Sequence, residues 1–326
     1  MKPRTALLSL LPASLPALLL ALLLSGAAAA QTKVVVTGMD GPDLAELRAA
    51  APSARIVSAS GEAQLRREIA DAEGFLGSPT PELLRAVPKL RWVQVGSAGV
   101  DTLRFPELLN SNITLTNCKI IQGPEIADHA FALLLALTRR LNELIPRKAR
   151  EEWPLAEFRT PDKQPTELHE RTALVIGMGG IGTQIAQRAH AFGMEAYGID
   201  PKDISMTYFT RGVYPPDKLR ELLPRSDVVF MAAPHTPESD KMLGPDEFRM
   251  MKRGAYFIAV SRGKTYDGQA LVKALDEKHL AGAGLDVTDP EPLPKGHPLW
   301  KFENVVITPH LAGTSDKFRV RQMGVF

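Results

Sequence analysis

Three glycines and one acid carry the first recognisable chemistry in this chain. Residues 171–202 read RTALVIGMGGIGTQIAQRAHAFGMEAYGIDPK. TALVIG is a short apolar run rich in β-branched residues. It meets Gly177-x-Gly179-x-x-Gly182, and an amphipathic segment follows at once. A second apolar run, Glu195 to Ile199, ends in Asp200, 18 residues past Gly182. Strand, tight turn, helix, strand and acid, in that order, form the context of a dinucleotide fingerprint. Gly177 permits the tight turn, Gly179 lets backbone approach a pyrophosphate, and Gly182 lets the helix pack on the strand. The phosphates would meet free N–H groups and the positive end of a helix dipole. Asp200 can accept hydrogen bonds from the adenosine ribose.

A nicotinamide site also needs a hydride acceptor, a proton donor and a substrate clamp. Three strand ends in the second half offer candidates. AYFIAV ends in Ser261-Arg262-Gly263. AGAGLDV contains Asp286 and runs into DPEP with Glu291. VVITPH ends in His310. Arg262 is permanently charged and has a planar fork, so it can grip a carboxylate and polarise an adjacent ketone. His310 can hold or give a proton near neutral pH. Glu291 beside it would favour the charged imidazolium.

The elements that must position these groups alternate along the chain. KVVVTG, ARIVSAS, GFLGS, RWVQVGSAG and ITLTNC read as strands separated by helical runs. Repeated βα units with short connections imply a parallel sheet covered by helices. A long helical stretch follows at 123–153, almost apolar all round in its middle, so it should be deeply buried. Residues 154–170 are polar and proline-bearing, a surface connection. The fingerprint unit then opens a second βα series ending at NVVITPH. The fold class expected is α/β, with two doubly wound parallel-sheet domains. Such sheets bind ligands beyond the carboxyl ends of their strands.

At this point the chain resembles the D-isomer-specific 2-hydroxyacid dehydrogenase family. The resemblance rests on GMGGIG, AAPHTPES, FIAVSRGKTYD, AGAGLDVTDPEPLP, HPLW and NVVITPHLAG in that order, and on the earlier VQVGSAGVD and EIADHAFALLLAL. It implies a flavodoxin-like substrate domain at 31–118 and a Rossmann NAD-binding domain at 119–309. Residues 310–326 would begin a return segment that the family normally continues further. Arg262, Glu291 and His310 match the family's catalytic trio. Gly177, Gly179, Gly180, Ile181 and Gly182 match its pyrophosphate loop, Asp200 the ribose acid, and Asp286 the residue facing the nicotinamide carboxamide. Ala233, Pro234, His235, Val260, Ser261, Arg262, His310 and Gly313 fall in cofactor-contacting segments. The backbone of Ser97, Ala98, Gly99 and Val100 matches the loop that holds the substrate carboxylate, together with Arg262. The implied activity is NAD-dependent interconversion of a small 2-oxo acid, such as glyoxylate, hydroxypyruvate or pyruvate, and its D-2-hydroxy acid. Glu291 separates the chain from formate dehydrogenase, which carries glutamine at the matching place. The resemblance also points to a homodimer built on the long helix, 123–149, and Trp153. The competing reading is a non-catalytic NAD(H)-sensing protein on the same fold.

Composition sets outer bounds. The chain has 326 residues, 44% hydrophobic and 23% charged, as in a globular protein of two domains. Without residues 1–30, which carry Lys2 and Arg4 and no acid, the basic residues match the 37 acidic ones, so no nucleic-acid surface is expected. No histidine cluster has metal-ligand spacing, so no metal is expected. The single cysteine, Cys118, ends a β-type run and should be a small buried side chain. Residues 1–30 have a basic start, a leucine-alanine core and SGAAAA before Gln31, the layout of an export signal. The expectation is a periplasmic protein without a permanent membrane anchor; a spurious extension on a cytoplasmic protein is the alternative.

Overall fold

The structure, a computed structural model, describes residues 31–205 and 207–326. The segment read as an export signal lies outside the described residues. Among the described residues no helix is long and apolar enough to cross a membrane.

Five strands form the first sheet: β1 (Lys33–Thr37), β2 (Arg55–Ala59), β3 (Gly74–Leu76), β4 (Trp92–Val95) and β5 (Thr114–Asn117). Their order is β2-β1-β3-β4-β5. The pairings of β1 with β2, β1 with β3, and β3 with β4 are parallel. This is the flavodoxin-like order. The strands read as continuous apolar runs because helices cover both faces, and Val35, Val36, Phe75 and Val93 are fully buried.

Seven strands form the second sheet: β6 (Thr172–Ile176), β7 (Glu195–Ile199), β8 (Gly212–Tyr214), β9 (Val228–Met231), β10 (Tyr256–Ala259), β11 (Gly282–Leu285) and β12 (Val305–Ile307). The order is β12-β11-β10-β9-β6-β7-β8 and every pairing is parallel. Relative to β6 this is the doubly wound dinucleotide order, with its switch point between β6 and β9. One core layer stacks Phe248 on Phe257 and Phe257 on Tyr266, edge to face, with centroids 5.3 and 5.2 Å apart. Each such pair contributes about 0.5–1.5 kcal/mol beyond burial, which helps fix the ends of β10 and of the segment after it.

By contact the chain divides into two compact units, residues 31–94 with Ser111–Thr114, and Val95–Asn110 with Leu115–Phe326. Residues 95–110 and 115–118, assigned by sequence to the substrate domain, therefore group with the second unit.

The long helix differs from expectation. It runs Gly123–Thr138, then breaks, and a second helix spans Leu141–Lys148. Arg140 adopts a left-handed conformation at the break, with φ of +59°. The homodimer expected on 123–149 and Trp153 would cover part of the apolar middle of this stretch, Ala130–Leu137. Ala130, Phe131, Leu133, Leu134 and Leu137 are buried in their own unit, against a core that includes Ile185, Phe230 and Ile258, while Ala132 is exposed and Leu135 and Ala136 are half-buried. The large exposed apolar residues of the stretch lie after the break, among them Ile145 at 65% and Trp153 at 89% exposure. Cys118 is fully buried, as its run implied.

Candidate active site

The glycine turn follows β6. Gly177 has a φ of +91°, and a Cβ there would overlap the backbone of Ala233. A Cβ on Gly182 would overlap the carbonyl oxygen of Gly177. Both positions exclude larger residues for packing reasons. Gly179 is different: a Cβ there meets nothing within 4 Å. It caps the helix Gly180–Ala191, and no side chain caps that terminus. The first N–H groups of this helix are thus left without a side-chain cap, as an anion site requires. Asp200 closes the turn. Its carboxylate accepts from the backbone N–H of Met178 and of Lys202, both at 2.9 Å.

The rest of the dinucleotide segment surrounds the same strand ends. Gln122 Nε2 donates to Gly313 O at 3.2 Å. A Cβ on Gly180 would press on Ile120, so residues 120–122 lie between the helix start and Gly313. Ala233 and Val260 are buried, and Pro234 O accepts from Ser239 Oγ at 2.7 Å. His235 Nε2 pairs with Asp240 Oδ1 at 2.8 Å. Ser261 Oγ is buried and has no hydrogen-bond partner. An open glycine at a helix start, an acid beyond the second strand and an orphaned hydroxyl at the next strand end fit a dinucleotide. Gly177–Gly182 and Asp200 would hold its pyrophosphate and ribose. Among the described residues no three His, Cys, Asp or Glu converge to hold a metal.

His310 sits in a left-handed turn after β12, with φ of +52°. For a non-glycine residue that conformation needs external support. Asp286 supplies it. Its side chain, 1% exposed, accepts from Thr308 Oγ1 at 2.7 Å, Leu311 N at 3.0 Å and Ala312 N at 3.0 Å. His310 N donates to Asp286 O at 2.9 Å. His129 Nε2 lies 2.9 Å from Thr308 Oγ1, so the long helix joins the same network. His129 has no role in the expectations above, and no local signal in the chain marks it.

The His310 side chain is 43% exposed, and its Nδ1 lies 2.8 Å from Glu291 Oε2. Glu291 is held in turn by Thr288 N, which donates to Oε1 at 3.1 Å. Tyr266 Oη donates to Val287 O at 2.8 Å. Burial, then the charges of Glu291 and Asp289, push the Tyr266 phenol far up, so it keeps the proton it donates. A Cβ on Gly263 would overlap Thr288 O. Arg262 is therefore one residue from the segment that carries Glu291.

Arg262 Nε donates to Asp101 Oδ1 and Oδ2 at 3.1 and 3.2 Å, and Nη1 to Ser261 O at 2.8 Å. Its Nη2 lies against Gly99, where a Cβ would overlap it. The Ser97–Val100 loop is shaped by Ser97 Oγ, which donates to Gly99 O at 2.7 Å, and by Asn117 Nδ2, which donates to Ala98 O at 2.6 Å. The expected carboxylate loop and the expected carboxylate fork are thus in direct contact. The expected glycine loop, Asp286, Glu291 and His310 belong to the same unit.

This fold and these groups define a nicotinamide-linked oxidoreductase of the two-sheet α/β type. The sequence profile of the D-isomer specific 2-hydroxyacid dehydrogenase NAD binding domain matches residues 131–312. A glyoxylate reductase of Korarchaeum cryptofilum is 41% identical over 248 residues, covering 74% of this chain and 72% of that protein. A D-isomer specific 2-hydroxyacid dehydrogenase family protein of Aeromonas salmonicida superposes with a TM-score of 0.78 at 30% identity, over 90% of this chain and 94% of the other. D-lactate dehydrogenase of Aquifex aeolicus, solved with NAD and lactic acid, superposes at 0.72 with 26% identity, over 90% and 92%. The chain belongs to the D-isomer specific 2-hydroxyacid dehydrogenase family.

Gly99→Ala tests the contact between loop and fork. The new methyl group meets the far end of a side chain rather than backbone, so the fold survives. The guanidinium must move. We expect kcat/KM for a 2-oxo acid to fall by about tenfold or more, since small misplacements at a site are costly. Thermal melting should stay close to wild type. Steady-state kinetics and a melting curve check both, and unchanged kinetics would refute the contact.

Proposed function

We propose that this enzyme reduces a small 2-oxo acid, of the size of glyoxylate or hydroxypyruvate, to the D-2-hydroxy acid, with NADH as the preferred reductant. The broader activity, interconversion of 2-oxo and 2-hydroxy acids with a nicotinamide dinucleotide, comes with the family. One observation carries the finer reading: Arg262 lies against the Gly99 loop, while the segment beside it holds Glu291 on His310. That is one grip for a carboxylate and one proton donor for a neighbouring oxygen. The glyoxylate reductase among the relatives supports a small substrate.

A nicotinamide cofactor held by Gly177–Gly182 and Asp200 would supply hydride chemistry at the carbonyl carbon. The chain's own residues do the rest. Arg262 and the N–H groups of Ser97–Val100 hold the substrate carboxylate. The Nδ1 contact with Glu291 orients the imidazole and leaves Nε2 to donate a proton to the carbonyl oxygen. Glu291 balances the imidazolium before transfer. Nucleotide binding belongs to 119–309 and substrate specificity to 31–118.

Loss of these groups should be read differently in kinetics. His310→Ala removes the proton donor, so kcat should fall by roughly a hundredfold or more with KM little changed. Arg262→Ala removes a contact present in the ground state as well, so KM should also rise. Turnover of NADH with a panel of 2-oxo acids is the primary measurement; absence of turnover with every acid would favour a binding role instead.

The preference for NADH rests on Asp200, whose charge opposes a 2′-phosphate at the end of β7. We expect kcat/KM to be higher with NADH than NADPH, and Asp200→Ala to narrow the gap. The variant should also weaken NADH itself, because Asp200 braces Met178 N. Equal kcat/KM for the two reductants in the wild type would sink this reading.

We propose further that the protein is a homodimer. The exposed Ile145, Trp153 and Leu155 that follow the helix break are the apolar surface a second copy would cover. Light scattering should return twice the chain mass, and Trp153→Glu should shift it toward the single chain.

A further inference from the structure

Asp101 has no part in the mechanism above, yet it is the acid that faces Arg262. A guanidinium presents two edges to partners, one formed by Nε and Nη2 and one by Nη1 and Nη2. Asp101 spans the first. Nε donates to both of its oxygens, at 3.1 and 3.2 Å, and Nη2 lies 3.1 Å from Oδ1. Nη1 spends one donor on Ser261 O. Nη1 keeps a second N–H and no hydrogen bond takes up Nη2, so donors remain on the second edge. Two parallel donors of this kind match the two oxygens of a carboxylate.

We propose that Asp101 is a positioning residue for the substrate carboxylate: it holds the Nε edge of Arg262 and so presents the other edge to the substrate. This rests on the reading of Arg262 as the carboxylate clamp. The placement of Asp101 supports it. Asp101 opens the turn Asp101–Leu103 directly after Val100. Leu103 N donates to Val100 O at 3.0 Å, and Asn117 fixes the loop through Ala98 O. One short segment, Ser97–Leu103, therefore carries both the backbone donors for the substrate and the acid that aims the fork. Burial alone would raise the Asp101 carboxyl, but hydrogen bonds and charge from Arg262 outweigh it and hold it below the ordinary range. The pairing with Arg262 thus favours its anionic form. An anion beside Arg262 weakens the pull on a substrate carboxylate. What it gives in return is direction, for a long side chain that would otherwise sample many rotamers.

The test is a double-mutant cycle on the NADH-loaded protein, with Asp101→Asn in the wild-type and Arg262→Lys backgrounds. Asparagine keeps size and one acceptor oxygen. Lysine keeps a charge but has no edge to aim. Two readouts are taken: affinity for oxamate, a 2-oxo acid analogue that is not reduced, and kcat and KM for glyoxylate. Asp101→Asn alone should weaken oxamate and lower kcat/KM by about ten- to a hundredfold, with NADH affinity and melting temperature unchanged. In the Arg262→Lys background the same substitution should cost little, because interaction energies appear as non-additivity between contacting residues. An equal loss in both backgrounds, or no loss in either, would overturn the role of Asp101. Wild-type protein that binds oxamate but reduces no 2-oxo acid would overturn the proposed activity alone, with the cycle still read in oxamate affinity. Wild-type protein that binds no oxamate would overturn the clamp and this inference with it.

Discussion

The site depends on one buried carboxylate. Asp286 is removed from water, and an anion so placed is tolerated only when its oxygens are fully used. They are, by a hydroxyl and two backbone N–H groups that all belong to residues 308–312. The carboxylate therefore dictates the path of the chain after β12. That path forces His310 into a left-handed turn which its Cβ disfavours by about 1–2 kcal/mol. Charge-assisted hydrogen bonds of about 1.5–3 kcal/mol each outweigh that strain. The imidazole is then carried on the surface of the turn, where Glu291 can reach it.

The other end of the site works by the opposite device. Around Gly177 and Gly182 the chain is packed so closely that a single methyl group would collide with backbone. Around Gly179 it is empty. The contrast separates glycines that serve the fold from the one that leaves room for something else. Asp200 belongs to both uses, since it ties the turn through Met178 N and lies at the strand end where a ribose would come.

Much of this was legible because it is local. The glycine spacing, the strands on either side and Asp200 lie within 32 consecutive residues, and periodicity alone orders them. Strand ends in a parallel sheet share one rim, so Arg262, Asp286 and His310 could be placed there without coordinates. What escaped was held by contacts distant in sequence. Asp101 and Arg262 are 161 residues apart, His129 and Thr308 179, Gln122 and Gly313 191. A histidine inside an apolar helix looks like any satisfied core residue. The helix break was hidden for another reason. Arg139 and Arg140 favour helix, so only tertiary context could put Arg140 in a left-handed turn. The exposed Ile145 and Trp153 follow that break.

The division of the chain into units has an engineering meaning. Ser97, Gly99, Asp101, Asn117, Arg262 and Ser261 all belong to the second unit. The hydrogen bonds described above that join Arg262 to Asp101 and Ser261 and that shape Ser97–Val100 are therefore internal to that unit. None of these hydrogen bonds involves residues 31–94, so that segment can be varied, or exchanged for that of a relative, without removing any of them.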